Sequence, residues 1–96
     1  IPRNHRAVVI TIGNRAKREI WTAENLPAGW HHTDCRVSRG FGDRWLEEQR
    51  SVALIVPSVI AKYEQNVVIN PAHQHFSLIR ASRPEIVKWD LRLFER

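Results

Sequence analysis

The chain alternates short apolar runs with polar punctuation, and each run points to an element. Residues 7–12, AVVITI, are β-branched and nearly continuous, and Gly13-Asn14 ends them. That is the pattern of a buried strand. Residues 18–22, REIWT, read as a second short extended piece. Residues 25–32, NLPAGWHH, carry Pro27 and Gly29 as breakers and predict a loop. Asp34 is placed to cap a helix that begins near Arg36. Val37, Phe41 and Trp45 then fall at i, i+4 and i+8 on one helical face, and Leu46 and Gln49 extend the stripe. Gly40 and Gly42 each cost roughly 1 kcal/mol in a helix interior, so the first half of this helix is the weaker.

The second half of the chain is strand-like. Residues 52–56, VALIV, form an apolar run bounded by a charged helix end and by Pro57, which reads as a buried strand. Residues 66–69, NVVI, read as another, preceded by the polar KYEQ and stopped by Asn70-Pro71. Pro71 is suited to open a single helical turn through His75. Residues 76–80 and 86–89 alternate loosely on either side of Ser82-Arg83-Pro84 and read as a strand pair. Trp45 and Trp89 lie in apolar patterns and are candidates for the core. Together these elements predict a strand-rich α+β domain with one clear helix.

Length limits what such a domain can do. Ninety-six residues are one small domain with a modest core. The chain begins Ile-Pro and contains no methionine, which reads as a processed chain or part of a longer one. No window approaches the ~18 apolar residues of a membrane-spanning helix. Cys35 is the one cysteine, so an internal disulfide is impossible, and a lone thiol suits a reducing cytoplasm.

Net charge is +5, and arginine supplies 12 of the 15 basic residues. Arginine suits bidentate phosphate contacts. The excess is spread along the chain: nine Lys/Arg against six acids in residues 1–50, six against four in residues 51–96. A spread excess is the mark of a solvated basic surface. It leaves open a small non-enzymatic binding module for RNA or an acidic protein partner, which would need a basic patch with exposed aromatics.

Few side chains are arranged for chemistry. His31-His32 and His73-x-His75 are the histidine clusters, with Asp34 and Cys35 near the first. None has zinc-finger spacing and there is no CxxC, so no metal is expected. Cys35 as a nucleophile would need a spatial base and an oxyanion hole, which neighbouring histidines in sequence do not supply. Its expected place is the core side of the helix start. Ser58 follows Pro57 at the end of an apolar run. It lacks the Gly-x-Ser-x-Gly elbow of a hydrolase nucleophile. As a turn residue it would bond its own backbone; as a site residue it would offer a hydroxyl where a strand opens onto ligand.

The order of five short motifs adds a family to this reading. LPAGW, GDRWL, LIVPSVI, NVVINPAHQHF and WDLRLF, in that order, resemble the C-terminal part of a RES-domain protein over roughly residues 7–94. That family is named for an arginine, a glutamate and a serine. It is similar to the toxins of bacterial toxin–antitoxin pairs with Xre-like antitoxins. The resemblance implies a fold like the diphtheria-toxin-type ADP-ribosyltransferases and a cytoplasmic protein. It also implies action on NAD⁺, as substrate, at the bond joining nicotinamide to ribose, with water, phosphate or a protein as acceptor. It implies no nucleic-acid partner for the toxin itself.

Ser58 matches the family's serine and is the catalytic and NAD-binding candidate. The other two namesakes have no counterpart here. The family places them upstream of the strand read at residues 7–12; Arg3 and Arg6 lie too close to it, and Glu19 and Glu24 come after it. The expectation is therefore that residues 1–96 are the C-terminal portion of a longer RES domain and are inactive alone. The missing N-terminal segment, or another copy of the chain, is then expected to cover an open sheet edge and half-covered core.

Overall fold

The computed structural model describes residues 5–86. Seven short strands and one α-helix follow in the order β1 (Arg6–Ala7), β2 (Ile10–Ile12), β3 (Arg18–Ile20), α1 (Arg36–Glu48), β4 (Ala53–Pro57), β5 (Gln65–Ile69), β6 (Ile79–Ala81) and β7 (Glu85–Ile86). A 3-10 helix, Gln74–Leu78, precedes β6. The α+β expectation holds, and the central sheet is mixed in direction.

The centre is a three-stranded sheet in the order β3-β4-β5. β3 and β4 are parallel, with Glu19 opposite Leu54. Parallel neighbours need a long crossover, and residues 21–52 supply it through the loop and α1. β4 and β5 are an antiparallel hairpin, with Ile55 opposite Val67 and Pro57 opposite Gln65. Two smaller ladders, β1 with β7 and β2 with β6, are both antiparallel.

The core is small: Ala16, in the turn after β2, packs with Val52 and Ala53 at the start of β4. Trp45, Val52 and Ala53 are fully buried, with Leu54 and Ala16 nearly so. Ile12, Ile69, Leu78 and Ile79 pack against the cluster of Ala16, Val52 and Ala53. The Trp45 indole N–H donates to Ser51 Oγ at 2.7 Å, and that hydroxyl donates to the Ala53 carbonyl at 2.8 Å. A second buried polar group, Asn70, is also satisfied. Its N–H donates to the Val52 carbonyl, its Oδ1 accepts from the Ala72 N–H, and its Nδ2 donates to Gln49 Oε1. Gly13 is required by close approach: a β-carbon there would stand 2.9 Å from the Leu78 carbonyl oxygen, which the Gly13 N–H meets.

Several sequence expectations are corrected. Residues 7–12 are not one buried strand. Val8, Val9 and Ile10 are 44–58% exposed, and the run is split into β1 and β2. The Val9 N–H donates to the Ser82 side-chain oxygen, where a regular ladder would offer a carbonyl, so the pairing breaks there. The β5 valines are half exposed, because β5 is a sheet edge. Leu46 is 43% exposed, since it lies about 100° round the helix from Trp45. Gln49 is exposed and is the left-handed C-cap, its N–H donating to the Leu46 carbonyl.

The helix starts at Arg36 as expected, and Asp34 Oδ1 accepts the Arg36 N–H at 3.1 Å. The capping position itself belongs to Cys35, in a left-handed conformation with φ 59°. That backbone turns its side chain outward, so Cys35 is exposed and not on the core side. The helical turn predicted at Pro71 lies later. Asn70 ties down Ala72, and His73 caps the 3-10 helix by accepting the His75 N–H on Nδ1 at 2.9 Å. Most of residues 76–80 belong to that 3-10 helix. Of the strand pair read for residues 76–80 and 86–89, residues 87–89 lie outside the described residues; among those described, β6 pairs with β2 and β7 with β1. Trp89 lies outside the described residues.

Candidate functional site

The parallel arrangement of β3 and β4 determines where a site can form. Both strands end at the same edge of the sheet, where the Trp21 N–H donates to the Ile55 carbonyl. Trp21 follows β3, and Ser58 follows β4. Open sheets of this kind bind ligands in the crevice beyond the carboxyl ends of parallel strands. A cleft of about 790 Å³ occupies that position, lined by Trp21, Trp30, Ser58, Lys62, Tyr63 and Glu64 among others.

Ser58 opens the turn that joins β4 to β5. Its N–H donates to the Glu64 carbonyl at 3.0 Å, closing the hairpin. Its Oγ accepts the N–H groups of Ala61 at 3.0 Å and Ile60 at 3.3 Å. The turn reading of Ser58 is therefore present in the geometry. It does not exclude a site role, because accepting two bonds leaves the hydroxyl proton free to donate. With two acceptor bonds made, donation is the hydrogen-bonding capacity left to the Ser58 hydroxyl. The residue is half buried and lines that cleft.

A second cavity, of about 510 Å³, lies between α1 and the faces of β4 and β5. Its lining includes Phe41, Trp45, Leu54, Val56 and Val68, with Cys35 and His31 at its border. It shares Trp30, Pro57, Val59 and Ile60 with the first.

The remaining candidates are dispersed. His31 and His32 are exposed loop residues with rings 5.4 Å apart. His73 and His75 are committed locally: His75 Nδ1 accepts the Lys17 N–H at 3.0 Å, and His73 caps the 3-10 helix. Among the described residues no group of three or more His, Cys, Asp or Glu is gathered about a point. Arg6 is exposed in β1, and Glu24 is exposed in the turn after β3; neither lines the Ser58 cleft. Arg3 lies outside the described residues.

Glu19 is a structural carboxylate. Its Oε1 accepts the Trp21 indole N–H at 3.0 Å and its Oε2 accepts Arg50 Nε at 2.9 Å. Arg50 also reaches Glu48, while its Nη2 is buried with no partner. The Glu19–Arg50 pair is partly buried, so its loss costs more than that of an exposed pair. Glu19→Ala is expected to destabilise the fold by about 1–2 kcal/mol, because it strands both donors. Thermal unfolding should fall by about 4–8 °C for each kcal/mol lost. An unchanged melting temperature would show that the two bonds carry no net stability.

Sequence reading placed Ser58 at a strand exit but missed Trp21, Lys62, Tyr63 and Glu64. KYEQ reads as a polar spacer before β5. The usable signal was the hairpin itself: pairing residues 53–57 with 65–69 sets Tyr63 in the same turn as Ser58.

Comparison with known proteins bears on this cleft. A family profile described as RES domain matches residues 1–91. The Prs ADP-ribosylating toxin of Sphingobium sp. (strain YBL2) is 37% identical over 99 residues, which cover 100% of this chain and 62% of that protein. The toxin named Toxin Res of Photorhabdus laumondii subsp. laumondii is 34% identical over 61 residues, covering 60% of this chain and 38% of that protein. A Toxin Res of Yersinia enterocolitica is 31% identical over 72 residues, covering 73% and 47%. The chain thus spans less than two thirds of the length of each of these relatives.

Proposed function

The chain belongs to the RES-domain family, and from that premise we propose that it is part of a toxin that takes NAD⁺ as substrate in the cleft at Ser58. The bond between nicotinamide and ribose C1′ breaks, and its electron pair leaves with nicotinamide. A new bond forms from C1′ to the oxygen of water or phosphate, or to a nucleophile on a target protein, which gives up its proton where it carries one. The observation that carries this reading is the Ser58 hydroxyl. It follows the carboxyl end of β4, accepts two backbone amides of the turn, and belongs to a residue that lines the cleft. A relative named as an ADP-ribosylating toxin supports the choice of substrate.

In this reading Ser58 orients substrate by donating to the ribose or the nicotinamide amide. Orientation of this kind lowers the barrier by holding the reacting atoms in line. Positive charge grows on the ribose as nicotinamide leaves, so a carboxylate near C1′ is needed as well. Glu19 is unsuited to that role because both its oxygens are engaged. The carboxylate and the pyrophosphate-binding arginines are assigned to a part of the RES domain beyond this chain, which is then its C-terminal portion. The complete domain would have the diphtheria-toxin-type core, and an Xre-like antitoxin would be its partner.

The test is an NAD⁺ assay on the full-length protein. Free nicotinamide is expected to appear in step with NAD⁺ loss. Intact NAD⁺, together with RNA binding that weakens steeply with salt, would favour a basic binding module.

A further inference from the structure

The turn that carries Ser58 presents two side chains with no part in the fold. Tyr63 is 93% exposed and sits in left-handed backbone at φ 72°, which a β-carbon disfavours. A large ring so exposed in so strained a conformation is unusual, and such strain persists only where surrounding bonds impose it. Here they do. The N–H groups of Ile60 and Ala61 donate to Ser58 Oγ, the Ser58 N–H donates to Glu64, and the Glu64 N–H donates back to Ala61. The turn is pinned at both ends, and Tyr63 is presented by it. Lys62 Nζ lies 5.3 Å from the Tyr63 ring centroid. Both residues line the same cleft as Ser58.

The opposite wall is fixed differently. Trp21 packs edge-on against Phe41 at 4.9 Å, and its indole N–H is held by Glu19. The cleft therefore offers the anchored Trp21 indole and a second indole, Trp30, the exposed phenol ring of Tyr63 with the Lys62 ammonium against it, the Ser58 hydroxyl and the Glu64 carboxylate. That set complements a nucleotide: a planar heteroaromatic ring, a phosphate, and the ribose hydroxyls or amide.

We propose that Tyr63 is the ring-stacking residue of the cleft, positioning a planar heteroaromatic ring of the dinucleotide, with Lys62 beside it for the phosphate. This rests on the NAD⁺ reading above. The ring is that of adenine or of nicotinamide, and the two share the chemistry that Tyr63 recognises. Stacking on an aromatic side chain strengthens binding by roughly tenfold to a hundredfold per base.

The experiment compares wild-type full-length protein with Tyr63→Ala, Tyr63→Gly, Tyr63→Phe and Lys62→Ala. KM and kcat for NAD⁺ are measured, with equilibrium binding of AMP and of nicotinamide mononucleotide. Tyr63→Ala and Tyr63→Gly are expected to raise KM by roughly tenfold to a hundredfold with kcat retained, and Tyr63→Phe to restore the wild-type KM. Tyr63→Gly should also melt no lower than wild type, since glycine relieves the left-handed backbone. A merely structural tyrosine would instead lower the melting temperature and leave KM alone. Lys62→Ala should flatten the salt dependence of KM. Whichever mononucleotide is weakened by Tyr63→Ala identifies the ring.

Wild-type KM in Tyr63→Ala and Tyr63→Gly, in a protein that consumes NAD⁺, overturns the proposal and leaves the NAD⁺ reading intact. A wild-type protein that neither binds nor consumes NAD⁺ overturns both.

Discussion

Trp45→Ala is expected to unfold the chain or leave it with only residual stability. Trp45 is fully buried and ties α1 to the segment before β4 through its hydrogen bond to Ser51. Truncating a buried tryptophan to alanine costs about 3–5 kcal/mol from lost burial and the cavity left behind. A chain of this length holds roughly 5–14 kcal/mol in total, and a core this small leaves it near the low end. The polar part of the contact can be separated from the apolar part. Trp45→Phe keeps most of the burial but removes the indole N–H, leaving Ser51 Oγ without its 2.7 Å donor. That substitution should cost about 1–3 kcal/mol. Ser51→Ala strands the indole N–H in the same way. The double variant Trp45→Phe/Ser51→Ala removes both partners and should be less destabilised than the two single losses added together. Urea unfolding followed by circular dichroism reads all four variants. Additive single losses would mean that the buried hydrogen bond contributes nothing of its own.

The same residue shows what the sequence made legible. Val37, Phe41 and Trp45 stand four apart, and the helix they predict forms with Trp45 buried near its C-terminal end. β4 was legible because an unbroken apolar run between a charged helix end and a proline has few alternatives. Residues 7–12 look much the same in sequence, yet they are exposed and broken. What interrupts them is the side chain of Ser82, far along the chain, and no local pattern announces that substitution of a hydroxyl for a carbonyl. Cys35 fails for a similar reason. Periodicity places it at the helix start, but its left-handed backbone, which periodicity does not specify, points it outward.

The candidate site was legible as a position and not as a constellation. Ser58 was found because a hydroxyl followed an apolar strand, and the order of motifs around it gave it a family. Trp21 could reach it only through the parallel pairing of β3 with β4, a contact made across the whole α1 crossover. Tyr63 could reach it only through the turn that Ser58 itself ties together. Non-local pairing and turn geometry are what hydropathy patterns carry least, and both decide the contents of this cleft.

Ser58→Ala and Ser58→Asp together separate the two roles of that serine. Alanine removes both the acceptor that ties Ile60 and Ala61 and the proton available to the cleft. Aspartate keeps an acceptor for the two amides, as it does at helix N-termini, but carries no proton to donate at neutral pH. In the full-length protein Ser58→Asp should therefore fold as wild type, whereas Ser58→Ala should lose about 0.5–1.5 kcal/mol. Both should lower the rate of NAD⁺ consumption, roughly tenfold to a hundredfold, which is the scale of one lost charge-neutral orienting bond of about 1.4–2.7 kcal/mol. Aspartate should be the worse of the two, because it also sets a negative charge beside the substrate's phosphates. The decisive comparison is activity against melting temperature. If Ser58 were only a turn residue, Ser58→Ala would lose stability and keep the wild-type rate, and Ser58→Asp would slow the reaction only through its added charge. A folded Ser58→Ala protein that consumes NAD⁺ roughly tenfold more slowly or worse would instead give the hydroxyl a part in orienting substrate, and relief of toxicity in cells should follow the same order as the loss of rate.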